Sequence, residues 1–255
     1  MELKSGLAEL DPSSQTVTYP LDAYQLSASD DRTVRYAEDL LVRDCVEEKS
    51  SDADVEIVDR RKLGNETTVP SSFGLWDPER AARYGYSDPP MSDTMQNLLA
   101  LNSSMPSNVQ ALWSSCLSSV DFASHGLDTS FLSSDTNLAA RGYNEAVGQA
   151  SATSEWSDVR ERWIDCVSDE GLVPDEMTLA GIEGVAEMGS EQQIRAALVD
   201  VSCKKDVDFV QTLADIIGSY QMVYIEQNES ALVEQQSRAK GVLDAAAVVI
   251  SQHGG

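Results

Sequence analysis

Apolar residues recur at helical spacing along most of the chain. Val34, Ala37, Leu40, Leu41 and Cys45 form one stripe, which predicts a helix over 29–48 capped by Ser29 or Asp30. Asp77 followed by Pro78 is a start signal and Gly85 a stop signal, so a short helix is expected between them. Phe73, Trp76, Tyr84 and Tyr86 bracket it, and Asp88-Pro-Pro90 then breaks the chain. Met95–Leu101 is apolar enough to be a helix or a buried segment, and Val109–Leu117 contains Cys116 in Leu-Trp-Ser-Ser-Cys. The Ala-rich stretch Leu138–Ala150 predicts a helix. The Trp156, Val159, Trp163, Cys166 stripe predicts another over 154–168, ended by Gly171 and Pro174. Ser190 opens one more, with Ile194, Ala197, Leu198, Val201 and Cys203 following.

The strongest pattern comes last. Phe209, Leu213, Ile216, Ile217, Tyr220, Val223 and Tyr224 make a stripe that Leu232, Ala239, Val242, Leu243, Ala246 and Ile250 extend. A continuous helix of about 40 residues would be ~60 Å long. The polar patch Gln227-Asn-Glu-Ser230 is where it would instead turn back as a hairpin. Neither Pro nor Gly stands there, so one long helix, kinked near Gly218, is expected. Between helices, Ser50–Ser72 is polar, with a brief alternation at Asp54–Val58 that predicts a short strand, and Ser118–Thr136 reads as a loop. The fold class is therefore all-α, predominantly helical with long irregular loops. The polar, Ser-rich start predicts a flexible tether over residues 1–18, of the kind that follows a signal or lipid-attachment segment. Residues 19–255 are expected to form a single helical domain, divisible into halves 19–136 and 137–255.

Composition narrows the function classes. Forty-three acids against eighteen bases leave a formal charge of −25. Phosphate binding needs a basic surface, so no nucleic-acid partner is expected, and docking on anionic lipid is disfavoured for the same reason. No apolar run is long enough to cross a membrane. With 42% hydrophobic residues in 255, the chain has enough apolar material for a core of its own.

The four cysteines, Cys45, Cys116, Cys166 and Cys203, are even in number and widely spaced, without a CxxC pair. His125 and His253 are the only histidines, and neither stands in a context that suggests a base for a cysteine nucleophile. Two structural disulfides are the favoured reading, and they imply an oxidising compartment and hence export. Reduced thiols in a cytosolic adaptor, pairing through the long helix, are the competing one. The segments around Cys45 and Cys166 echo each other, each placing a Cys at a helix end after an apolar stripe. Sequential pairing, Cys45 with Cys116 and Cys166 with Cys203, is the simplest of the three connectivities.

Several short motifs carry a resemblance. Tyr19-Pro-Leu-Asp-Ala-Tyr24, Leu41-Val-Arg-Asp-Cys45, Ala81-Ala-Arg-Tyr-Gly-Tyr86, Trp163-Ile-Asp-Cys166 and Leu198-Val-Asp-Val-Ser-Cys203-Lys are spread over most of 19–250. Together they resemble exported actinobacterial lipoprotein-like proteins of unknown function. The resemblance implies an extracytoplasmic helical module, secreted or lipid-anchored to the outer face of the cell membrane. It brings no catalytic residues.

Signatures of chemistry are sparse. The chain holds no dinucleotide or phosphate loop, no nucleophile elbow and no zinc-protease motif. Asp52-Ala-Asp-Val-Glu56 mimics the start of a calcium loop, but Ile57 occupies the position that requires Gly, so no metal is expected there. No cofactor is implied. The expected function is an exported, cell-envelope-associated binding or structural module with an envelope protein or glycan as partner. Its candidate interaction surfaces are the Phe73, Trp76, Tyr84, Tyr86 group and the long helix, each with core packing as the competing reading. The alternative is a carboxylate-dependent hydrolase of envelope polymer, which would require two acids with raised pKa values in one cleft.

Overall fold

In the computed structural model, which describes residues 7–50, 55–63, 72–133 and 135–254, eight α-helices dominate the described residues. They are α1 (Ala28–Lys49), α2 (Pro78–Tyr84), α3 (Asp93–Ser104), α4 (Ser107–Ser119), α5 (Leu138–Ala150), α6 (Ser154–Asp169), α7 (Ser190–Asp206) and α8 (Phe209–Gln252). Two small antiparallel hairpins accompany them, β1 (Glu9–Asp11) with β2 (Thr16–Thr18) and β3 (Pro174–Asp175) with β4 (Gly181–Ile182). The predicted all-α class and long C-terminal helix are what the structure has.

The described residues group into two units. One takes in 7–23, 72–90 and 139–229; the other takes in 24–50, 55–63, 91–133, 135–138 and 230–254. Both are assembled from separated stretches of chain, so neither is the half at 19–136 or 137–255. The first unit's core gathers Phe73, Trp76, Trp156, Val159, Trp163, Val167, Phe209, Leu213, Ile216 and Ile217. The second unit has Val34, Ala37 and Leu40 of α1 packed with Ala239, Val242, Ala246, Val249 and Ile250 of α8, together with Leu127 and Phe131. Each unit holds one disulfide, Cys166–Cys203 in the first and Cys45–Cys116 in the second, with Cα separations of 5.7 and 5.9 Å.

Several expectations change. The segment expected as a tether is built into the first unit from residue 7 onward. Ala8 is buried, the Leu7 and Ala8 N–H groups donate to Asp215 Oδ1 at 2.8 and 3.1 Å, and 9–18 form the first hairpin. A buried carboxylate on α8 needs donors, and the chain start supplies them. Residues 1–6 of that stretch lie outside the described residues. Residues 55–58 do not form a strand, for no second strand among the described residues lies beside them; Asp54 itself falls outside the described residues. The cap of α1 is Ser27, which makes a reciprocal capping box with Asp30.

The kink in α8 falls at Asn228, inside the polar patch, and not at Gly218. Asn228 has φ −125° and ψ 15°, and its Nδ2 donates to the Tyr224 carbonyl at 2.9 Å. A short amide that bonds its own backbone competes with the helical ladder, whereas glycine at 218 loses only entropy.

Candidate functional site

α7 builds the site. Its inward face carries Ala196, Ala197, Val201 and Cys203, and the same face carries Asp200 and Lys204, four residues apart, so both charges are buried. Lys204 Nζ donates to Asp200 Oδ2 at 2.9 Å, to the Leu75 carbonyl at 2.8 Å and to the Ala180 carbonyl at 3.3 Å. Those three bonds use all three donors of the ammonium. Asp200 is satisfied in turn by Trp163 Nε1 at 2.9 Å on Oδ1 and by the Tyr86 hydroxyl at 3.1 Å on Oδ2. Burial pushes the Lys204 ammonium below its ordinary range, against the opposing pull of Asp200. Burial, and the Asp200 charge next to it, hold the Tyr86 hydroxyl un-ionised well above its ordinary range.

Gly74 is required where this network meets the chain before α2. Its φ is +69°, and a Cβ there would stand 2.7 Å from the Ala180 carbonyl oxygen and 3.0 Å from Lys204 Nζ. The Cys166–Cys203 disulfide ties the same stretch of α7 to α6. Charge network, glycine and disulfide hold α7 against its neighbours as a rigid wall.

Beside that wall lies a cleft of about 620 Å³. Its apolar lining is Leu10, Pro12, Trp76, Pro78, Leu198, Val201, Phe209 and Val210, and its polar positions are Ser202, Lys204, Lys205, Asp208 and Gln211. All belong to the first unit. The size and the mostly apolar lining with few polar groups are those of small-molecule sites. Trp76 is held by its backbone N–H, which donates to Gln15 Oε1 at 3.0 Å, and is only 7% exposed. Its indole Nε1 is buried without a hydrogen-bond partner among the described residues. Asp208, between α7 and α8, has φ +55°, a left-handed conformation that Asp tolerates better than most residues.

The second unit has a smaller cleft, about 340 Å³, lined by Asp31, Val34, Arg35, Glu38, Thr129, Ser130, Leu132 and Ser133. Burial raises the Glu38 carboxyl above its ordinary value. Arg35 lies between the two acids, with Nε 3.3 Å from Asp31 and Nη1 3.8 Å from Glu38.

The four cysteines stand in the sequential pairs. The aromatic group does not form one exposed surface: Phe73 and Trp76 are core residues, Tyr86 packs on the core and bonds Asp200, and Tyr84 is half-buried. Among the four, Trp76 alone lines the larger cleft. The calcium-like motif lies outside the described residues at 52–54, and no group of three or more metal-ligating side chains occurs among the described residues. Sequence reasoning passed over Asp200 and Lys204. Their signal was present: both fall on the apolar face, three and seven residues after Ala197. No helix among the described residues is long and apolar enough to cross a membrane. Comparison with protein-family models, curated proteins and solved structures finds no match to this chain.

Proposed function

We propose that this chain is an extracytoplasmic binding module, secreted or lipid-anchored, and that the cleft beside α7 is its ligand site. The observation that carries this reading is the cleft itself, a 620 Å³ apolar concavity against a helix held by a disulfide and a fully satisfied buried ion pair. Preorganised walls of this kind lower the ordering cost of binding. The two disulfides support an oxidising compartment. The hydrolase alternative has less support: in the smaller cleft one acid has a raised pKa, and the guanidinium of Arg35 lies close to both carboxylates.

The neutral dye Nile red tests the cleft. Saturable binding at one dye per chain is expected, and Ser202→Trp, which places an indole over the cleft from an exposed helix position, is expected to abolish it with the fold intact by circular dichroism. Absence of dye binding, or binding unchanged in Ser202→Trp, would overturn the assignment.

A further inference from the structure

Residues 94–120 hold no Asp, Glu, Lys, Arg or His, the longest such run in a chain whose charged residues make up 24%. The run forms all of α4, and all of α3 except its first residue, Asp93. The two helices use it differently. α4 turns Cys116 inward to its disulfide with Cys45, and Val109, Leu112 and Trp113 pack on the same cluster. α3 buries none of its residues. Even so, Met95, Leu98, Leu99 and Leu101 fall on one side of it, and Gln96, Asn97, Ser103 and Ser104 on the other. Leu99 is 47% exposed and the other three apolar residues are half-buried. A one-sided stripe of this kind is what a helix ordinarily sets against a packing partner.

Charge selects the partner. Two copies at −25 each repel, and like charges set opposite one another across an interface cost several kcal/mol. Copies meet most readily where acids are missing, as they are along α3. A two-fold pair sets the same patch against itself, so an uncharged patch is complementary to its own copy. A cationic partner would be drawn to acid-rich surface instead. A helix that lies in a bilayer surface carries Lys or Arg on its polar side, and α3 has neither. Interface cores are depleted in charge and enriched in Met. Met91, Met95 and Met105, three of the chain's seven methionines, stand in or beside α3.

We infer that the uncharged apolar face of α3 is a self-association surface, through which two copies of this chain pair about a two-fold axis. α3 has twelve residues, so it is about 18 Å long, and pairing through it alone buries less than ~1,200 Å², the size of weak, reversible complexes. The inference concerns the second unit and does not rest on the reading of the cleft beside α7.

Sedimentation velocity of the full chain over about 5–500 µM, the range of weak complexes, tests it. A monomer–dimer equilibrium is expected, tightening about tenfold as salt rises from about 0.05 to 0.5 M and screens the repulsion. At the higher salt, Leu99→Glu is expected to weaken the dimer at least about tenfold, with helix content unchanged by circular dichroism. Val248→Glu adds the same charge at an exposed apolar position of α8 and is expected to change the dissociation constant less than about twofold. A chain that stays monomeric throughout, a dimer that loosens with added salt, or equal responses to the two substitutions would overturn the inference. Flotation of the monomer with phosphatidylcholine vesicles, abolished by Leu99→Glu, would assign the face to lipid and overturn it as well.

Discussion

Lys204 and Lys205 stand next to each other on α7 with opposite fates. The Lys204 side chain is 1% exposed and bonds three acceptors, whereas Lys205 is exposed at the cleft rim. Breaking a buried charge pair from one side leaves an uncompensated charge, which costs about 3–5 kcal/mol. Lys204→Met is therefore expected to lose that much in urea unfolding, while Lys205→Met stays within about 0.5 kcal/mol of wild type. Similar losses for the two would show that the buried network does not support α7. The difference between the neighbours was legible from helical phase alone, since 197, 200, 201 and 204 share one face. What the lysine bonds was not legible, because Leu75 and Ala180 come from separate parts of the chain.

At the scale of elements, stripes predicted helices well and polar insertions poorly. The apolar periodicity of α1, α5, α6 and α8 fixed their existence, because a one-sided stripe has to be buried against something. The hairpins at 9–18 and 174–182 went unseen: strands of two or three residues leave no periodicity to read. α3 is the converse case: Met95–Leu101 is apolar enough for a helix or a buried segment, and it forms a helix with no buried residue. The end of α8 illustrates how an element is closed. His253 Nε2 lies 2.7 Å from Asp44 of α1 and Nδ1 lies 2.6 Å from the Val249 carbonyl. The Asp44 hydrogen bond first, then that to Val249, raises the imidazole above its usual 6.5. A histidine with a raised folded-state pKa adds stability that is fully present below the unfolded value and lost as pH rises through the folded one. The stability difference between wild type and His253→Ala is thus expected to be larger at about pH 5.5 than at about pH 9, measured by guanidinium unfolding. A difference independent of pH would show that the histidine acts only by packing.

At the scale of the whole molecule there are two cores, and each carries its own covalent tie. Loops of 71 and 37 residues give about 4 kcal/mol apiece in the chain-entropy model, comparable to much of a domain's net stability. The charge of −25 was legible from the start, and it gives the chain a self-repelling surface. The cleft itself was not legible, because its walls come from residues near 10, 76 and 200, and only folding brings them together. The cleft's wall depends on an oxidised fold that holds α7 in place. Alkylation of the denatured, unreduced protein from its native cells, followed by peptide mapping, tests that most directly. The predicted result is no alkylated cysteine, with Cys45 linked to Cys116 and Cys166 to Cys203; free thiols at full stoichiometry, or crossed pairs, would contradict it.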